Sequence, residues 1–162
     1  MRKNSGFTLM ELMTTIAIIA VLAAVAIPNM IGWLPDYRLR SGAAEMLSAL
    51  QLARLSAIKE NAHVAVRFNT GSDEYLVFVD NGEGGGEPSN ETRDGSEKVI
   101  KSGKMAPDAQ IDSAGFSGGL SRVSFTGRGL TKGFRVGTVT LKNSKGHQRE
   151  IVVNMTGRCR IK

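Results

Sequence analysis

Gly6-Phe7-Thr8-Leu9-Met10-Glu11 opens an apolar run that continues to Ile27 and stops at Pro28, and the reading of this stretch decides the fold. Between Phe7 and Ile27 the one charged side chain is Glu11. At 1.5 Å per residue these positions make a helix of about 32 Å, enough to cross a hydrocarbon core of about 30 Å. Arg2 and Lys3 precede the run, so the positive-inside rule keeps this end in the cytoplasm and sends everything after Pro28 to the outer side. A secretory signal peptide is the competing reading, because Ala23-Ala24-Val25-Ala26 offers a small-residue cleavage site. Glu11 argues against it: a carboxylate near the start of a spanning helix costs about 2.5 to 3.5 kcal/mol and needs a partner.

The hexapeptide resembles the cleavage motif of type IV prepilins, with Gly6 before the cut, Phe7 as the first mature residue and Glu11 as the fifth. On that count Pro28 is twenty-second, where pilin-like chains commonly carry a proline that loosens the helix. The resemblance implies that a prepilin peptidase cuts between Gly6 and Phe7 and methylates Phe7. It implies a precursor held by a single span in the bacterial inner membrane, its head on the periplasmic side, that later joins other pilin or pseudopilin subunits in a filament. It also implies a partner for Glu11, the N-terminal ammonium of a neighbouring subunit, since such a pair in low dielectric is strong enough to set register.

The rest of the chain divides into a leader at residues 1–6, a transmembrane and filament-core helix at 7–35, and a globular head at 36–162. From 36 to 62, Leu39, Ala43, Met46, Leu50, Ala53 and Ala57 recur at spacings of three and four, so an amphipathic helix with one core-facing stripe is expected. Arg38, Arg40, Glu45, Arg54, Lys59 and Glu60 lie mostly off it and read as a solvated face. Beyond Ala62, strands are expected at 63–68, 75–80, 122–125, 134–141, 149–154 and 158–162, punctuated by Thr70-Gly71-Ser72, Asn81-Gly82, Ser144-Lys145-Gly146 and Thr156-Gly157. The fold class is therefore α+β: a long N-terminal helix, half spanning and half amphipathic, packed on a mostly antiparallel sheet. Residues 81–95 are acidic and glycine-rich and read as a mobile, solvated loop without ordered calcium-loop spacing.

Charge separates the two ends of the head: residues 73–119 hold 4 Lys/Arg against 10 Asp/Glu, whereas residues 120–162 hold 10 against 1. Cys159 is the lone cysteine, which excludes an intrachain disulfide and four-cysteine metal cages. His63 and His147 have no ligand-spaced partners, so neither a metal nor a cofactor is expected. Gly115-Phe116-Ser117-Gly118-Gly119 matches a hydrolase elbow pattern, but no strong helix follows and no Asp comes after Ser117, so it reads as a turn and no enzyme is expected.

The most suggestive stretch is Arg158-Cys159-Arg160-Ile161-Lys162, because residues two apart share a strand face. Arg158, Arg160 and Lys162 would form one basic row, Cys159 and Ile161 facing inward, with Arg122, Arg135, Lys142, Lys145 and Arg149 widening it. Guanidinium rows suit phosphate oxygens; without interleaved aromatics, base stacking is not expected. The runs Phe125-Thr126-Gly127-Arg128-Gly129, Gly137-Thr138-Val139-Thr140-Leu141, Arg149-Glu150-Ile151-Val152-Val153-Asn154 and Gly157-Arg158-Cys159-Arg160 resemble GspH/FimT-type pseudopilins. FimT-like members imply DNA contact through Gly157, Arg158 and Arg160 in DNA uptake by a type IV pilus; GspH-like members imply a type II secretion pseudopilus in which the basic face meets other pseudopilins. A single-span anchored binding domain that never assembles is the third reading.

Overall fold

The computed structural model describes residues 7–162, so the expected leader and Gly6 lie outside the described residues. Helix α1 spans Leu9–Glu60, and the chain divides into two units after Leu34. Thr8 caps the helix, its Oγ1 accepting from the Glu11 backbone N–H at 3.2 Å. Thr8-Leu9-Met10-Glu11 thus has the spacing of a capping box, and Glu11 sits in the first turn where the helix dipole favours an anion. Thr14 and Thr15 turn their hydroxyls onto helix carbonyls at 2.8 to 3.0 Å, as polar groups in an apolar segment must. Apolar side chains here are uncovered on every side, Phe7 at 86%, Ile19 at 64% and Val25 at 74%, and the segment is long and apolar enough to cross a membrane.

Pro28 and Pro35 do not interrupt α1, so the amphipathic helix expected at 36–62 is the continuation of one helix. Each proline removes one backbone donor, and the Ala-, Leu- and Met-rich flanks propagate the helix through that loss. It ends at Glu60 on a two-bond reversal: Asn61 donates to Ile58 O and Ala62 to Ala57 O, with Asn61 at φ +47°. In the second unit the expected stripe is buried in full, joined by Gly42 and Ala49. A Cβ on Gly42 would stand 2.7 Å from that of Ala109, so the bare glycine is what lets the helix approach the chain there.

Eight antiparallel strands follow, in two sheets and not the single one expected. The first sheet has the order β3-β2-β1-β5, from β1 (Val64–Asn69), β2 (Glu74–Val79), β3 (Val99–Lys104) and β5 (Arg122–Phe125). The second has the order β4-β6-β7-β8, from β4 (Gln110–Phe116), β6 (Gly137–Lys142), β7 (Gln148–Val153) and β8 (Cys159–Ile161). Their inner faces meet the helix stripe in one core, where Phe68 of β1 stacks on Phe116 of β4 at 5.8 Å. The solvated-face reading of α1 needs correcting, because three of its charges hold the sheets: Glu45 accepts from the buried Tyr75 hydroxyl at 2.8 Å, Arg38 meets Asp108 at 3.1 Å, and Arg54 donates to Gly129 O at 2.9 Å.

Residues 81–95 are largely exposed, as a solvated loop would be, but they are anchored by buried carboxylates within and beside the loop. Asp80, Glu91 and Glu97 are buried, which a carboxylate tolerates only when its oxygens are satisfied. Asp80 accepts from the N–H groups of Asn90 and Glu91, Glu97 from those of Gly82 and Asp94, and Glu91 pairs with Arg135 and Arg122. Glu83 and Glu87 stay exposed, while Asp80, Glu91 and Glu97 frame the loop from within and from its two ends.

Candidate functional site

Two glycine-arginine turns meet beside the C-terminal end of α1. After β5, Gly129 at φ +73° closes a turn by donating to Thr126 O at 2.8 Å. Between β7 and β8, Gly157 at φ +73° closes another by donating to Asn154 O at 2.8 Å. Both glycines are buried, and a Cβ on Gly157 would lie 2.0 Å from Gly129 O, so the turns are packed backbone to backbone. Arg54 binds Gly129 O, while Thr131 donates to Met155 O through both its N–H and its hydroxyl, at 3.2 and 3.1 Å. Arg128 and Arg158 leave this joint exposed.

Along β8, Cys159 pairs with Val153, Arg160 with Val152 and Ile161 with Ile151. Ile151 and Val153 are fully buried, so Arg160 points away from the core. Arg158 and Lys162 share its parity and are exposed; Lys162 donates its N–H to Glu150 O at 2.8 Å and brings Nζ to 3.5 Å from the Glu150 carboxylate. Cys159 faces the core partly buried, and burial pushes its thiol up to about 11 against the pull of Arg54, so it stays protonated. Ile161, paired with the buried Ile151, lies on the same face as Cys159 and is 38% exposed at the sheet edge.

Four residues expected to widen the row are elsewhere. Arg135 places Nη1 2.5 Å from both oxygens of Glu91 and is committed to that buried carboxylate. Arg149 shares the parity of Ile151 and Val153, on the face opposite Arg160. Arg122 also pairs with Glu91, and Lys145 lies 3.4 Å from Asp36, so neither widens the row. Arg128, Arg158 and Arg160 make no ion pair among the described residues. Arg128 was not expected to act here; the signal that could have found it is the repeat of Gly-Arg at 127–128 and 157–158.

The other end of the head is fastened differently. The β6–β7 turn delivers His147 Nδ1 at 2.6 Å and Asn143 Nδ2 at 2.8 Å to one oxygen of Asp36. The His147 contact, helped by Asn143 and Lys145, holds the Asp36 carboxyl below the usual carboxylate range, and Ser144 followed by Arg38 does the same for Asp108. Ser117 donates to Val136 O at 3.1 Å within a turn after β4, with no helix behind it as a hydrolase elbow would need. Among the described residues no group of three or more His, Cys, Asp or Glu could hold a metal.

The family of type II transport protein GspH matches residues 42–157, and the prokaryotic N-terminal methylation motif matches residues 1–27. A fimbrial protein of Pseudomonas aeruginosa is 38% identical over 80 residues, 48% of this chain and 49% of that protein. The type IV major pilin protein PilA of Myxococcus xanthus (strain DK1622) is 47% identical over 58 residues, 36% of this chain and 26% of that protein. The chain thus spans half or less of the length of these curated relatives. In fold it is similar to the type IV minor pilin FimU of Pseudomonas aeruginosa PAO1, with TM-score 0.58, 15% identity, and coverage of 78% of this chain and 90% of that one. The minor pseudopilin EpsH from the type 2 secretion system of Vibrio cholerae gives TM-score 0.57 at 15% identity, covering 77% of this chain and 96% of that one.

Proposed function

Because the chain belongs to the family of type II transport protein GspH, we propose that it is a minor subunit of a type IV pilus or related filament that holds DNA on its paired glycine-arginine turns. The uncovered apolar half of α1 anchors the precursor in the inner membrane, with the head on the periplasmic side, and enters the filament core after a prepilin peptidase removes residues 1–6. Glu11, at the start of that helix, takes the ammonium of a neighbouring Phe7. The observation that carries the DNA reading is the joint at Gly129 and Gly157: it packs together the two backbone turns from which the exposed Arg128 and Arg158 extend, continues along β8 to Arg160 and Lys162, and leaves the three arginines without an ion-pair partner among the described residues. Such a cluster grips phosphate oxygens without reading sequence.

A second reading, in which the same face docks on acidic surfaces of other pseudopilins, is favoured by the likeness to EpsH and by Met155, which stands 51% exposed in the turn before Gly157. Processing tests what both readings share. Intact-mass measurement of the wild-type chain from its native membrane is expected to show loss of residues 1–6 and a methyl group on Phe7. Gly6→Ala is expected to keep the leader and to fall to background in sheared filaments. Recovery of the Gly6→Ala chain in filaments at the wild-type level would contradict the proposal.

A further inference from the structure

Next to the joined turns lies a cleft of about 420 Å³, walled by Asn61, His63, Gly127, Arg128, Gly133 and Phe134. Phe134 stands 68% exposed at φ +53°, a backbone region that bulky residues avoid. It is kept there by its own N–H on Thr131 O at 3.1 Å, by the Thr131 hydroxyl on Arg135 O at 2.8 Å, and by the pairing of Arg135 with Glu91. The neighbouring backbone therefore fixes an aromatic side chain outside the core. His63 forms a second wall, with its Nδ1 buried away from the opening. Arg128 forms the third wall and belongs to the same joint as Arg158.

An aromatic face, the exposed amide of Asn61 and a guanidinium around a space of this size match the parts of one nucleotide: a flat ring, a hydrogen-bonding edge and a phosphate. We propose that the cleft takes an unpaired base of single-stranded DNA, stacked on Phe134 with its polar edge toward Asn61, while Arg128 and Arg158 hold the flanking phosphates. The assignment rests on the DNA-binding reading above and narrows it to a strand preference. Bases in a duplex are stacked on one another and cannot enter without unpairing, so the cleft discriminates by strandedness and not by sequence.

The test uses the full chain in detergent micelles with three probes: a short oligo-dT, an abasic sugar-phosphate oligomer of equal length and charge, and a duplex. Oligo-dT is expected to bind about tenfold more tightly than the abasic strand, the effect of one base–aromatic stack. Phe134→Gly removes the ring at a position where glycine is unstrained; it is expected to erase that tenfold and leave duplex binding within about twofold, whereas Phe134→Trp keeps the preference. Equal binding of oligo-dT and the abasic strand by the wild-type chain, with duplex binding intact, overturns the cleft assignment and spares the DNA reading. Failure to bind any probe overturns both. Loss of filament incorporation by Phe134→Gly, with the oligo-dT preference retained, assigns the cleft to a neighbouring subunit and overturns it as well.

Discussion

Alanine at Gly157 is expected to lower the thermal midpoint of the head by about 10 °C, read by near-UV circular dichroism of the full chain in detergent. Two costs combine at this residue. Its φ of +73° lies where a Cβ meets the following carbonyl, at about 1–2 kcal/mol. The added Cβ would also stand 2.0 Å from Gly129 O, which is backbone and cannot rotate aside, and overpacking of this kind costs about 1–3 kcal/mol. Together they give about 3 kcal/mol, at about 3 °C per kcal/mol for a unit of this size. Arg158→Ala, next in sequence but exposed, is expected to move the midpoint by no more than about 2 °C, the usual range for a surface change. An unmoved midpoint in Gly157→Ala would mean that the two turns are not packed as described, and the paired presentation of Arg128 and Arg158 would go with them.

Glu91→Ala is expected to cost a similar amount, about 3 kcal/mol. Glu91 is 2% exposed and answers two arginines, Arg135 at 2.5 Å and Arg122 at 3.3 Å. Removing one partner of a buried pair leaves the other charge uncompensated, at about 3–5 kcal/mol; the partly exposed arginines put this case at the lower end. Glu91→Gln keeps the shape and some hydrogen bonding and is expected to lose about half as much. Limited proteolysis gives a second readout, because a loop framed on Asp80, Glu91 and Glu97 should become cleavable between residues 81 and 95 once Glu91 is gone. Wild-type resistance in Glu91→Ala would show that the frame does not depend on this pair.

What could be read from the residues alone was what depends on local period. The buried stripe from Leu39 to Ala57 follows from spacings of three and four, and the β8 row from spacings of two. Strands β3 and β4 escaped notice because both are edge strands, where one side has no neighbour, and Lys101, Ser102, Gly103, Asp112 and Ser113 interrupt any clean alternation. The acidic loop misled for a different reason. Glu91 within it is paired with the arginines at 122 and 135, and no local pattern announces an ion pair between positions 44 residues apart. Arg128 and Phe134 became candidates only when the fold brought residues 126–134 against residues 154–157. Arg135 was assigned outward by composition, and Glu91 draws it inward.

The central claim, that the two glycine-arginine turns form one phosphate-binding end, is tested most directly by a salt series on the full chain in detergent with duplex DNA. Engagement of Arg128, Arg158, Arg160 and Lys162 is expected to give a slope of log affinity against log salt of about −3.6, close to a hundredfold loss between 50 and 200 mM salt. Arg158→Ala/Arg160→Ala should flatten that slope by about 1.8 and weaken binding at every salt concentration, with the thermal midpoint held near wild type. No binding at the lowest salt, or equal binding and slope in the double variant, would contradict it and turn the basic face toward other pseudopilins.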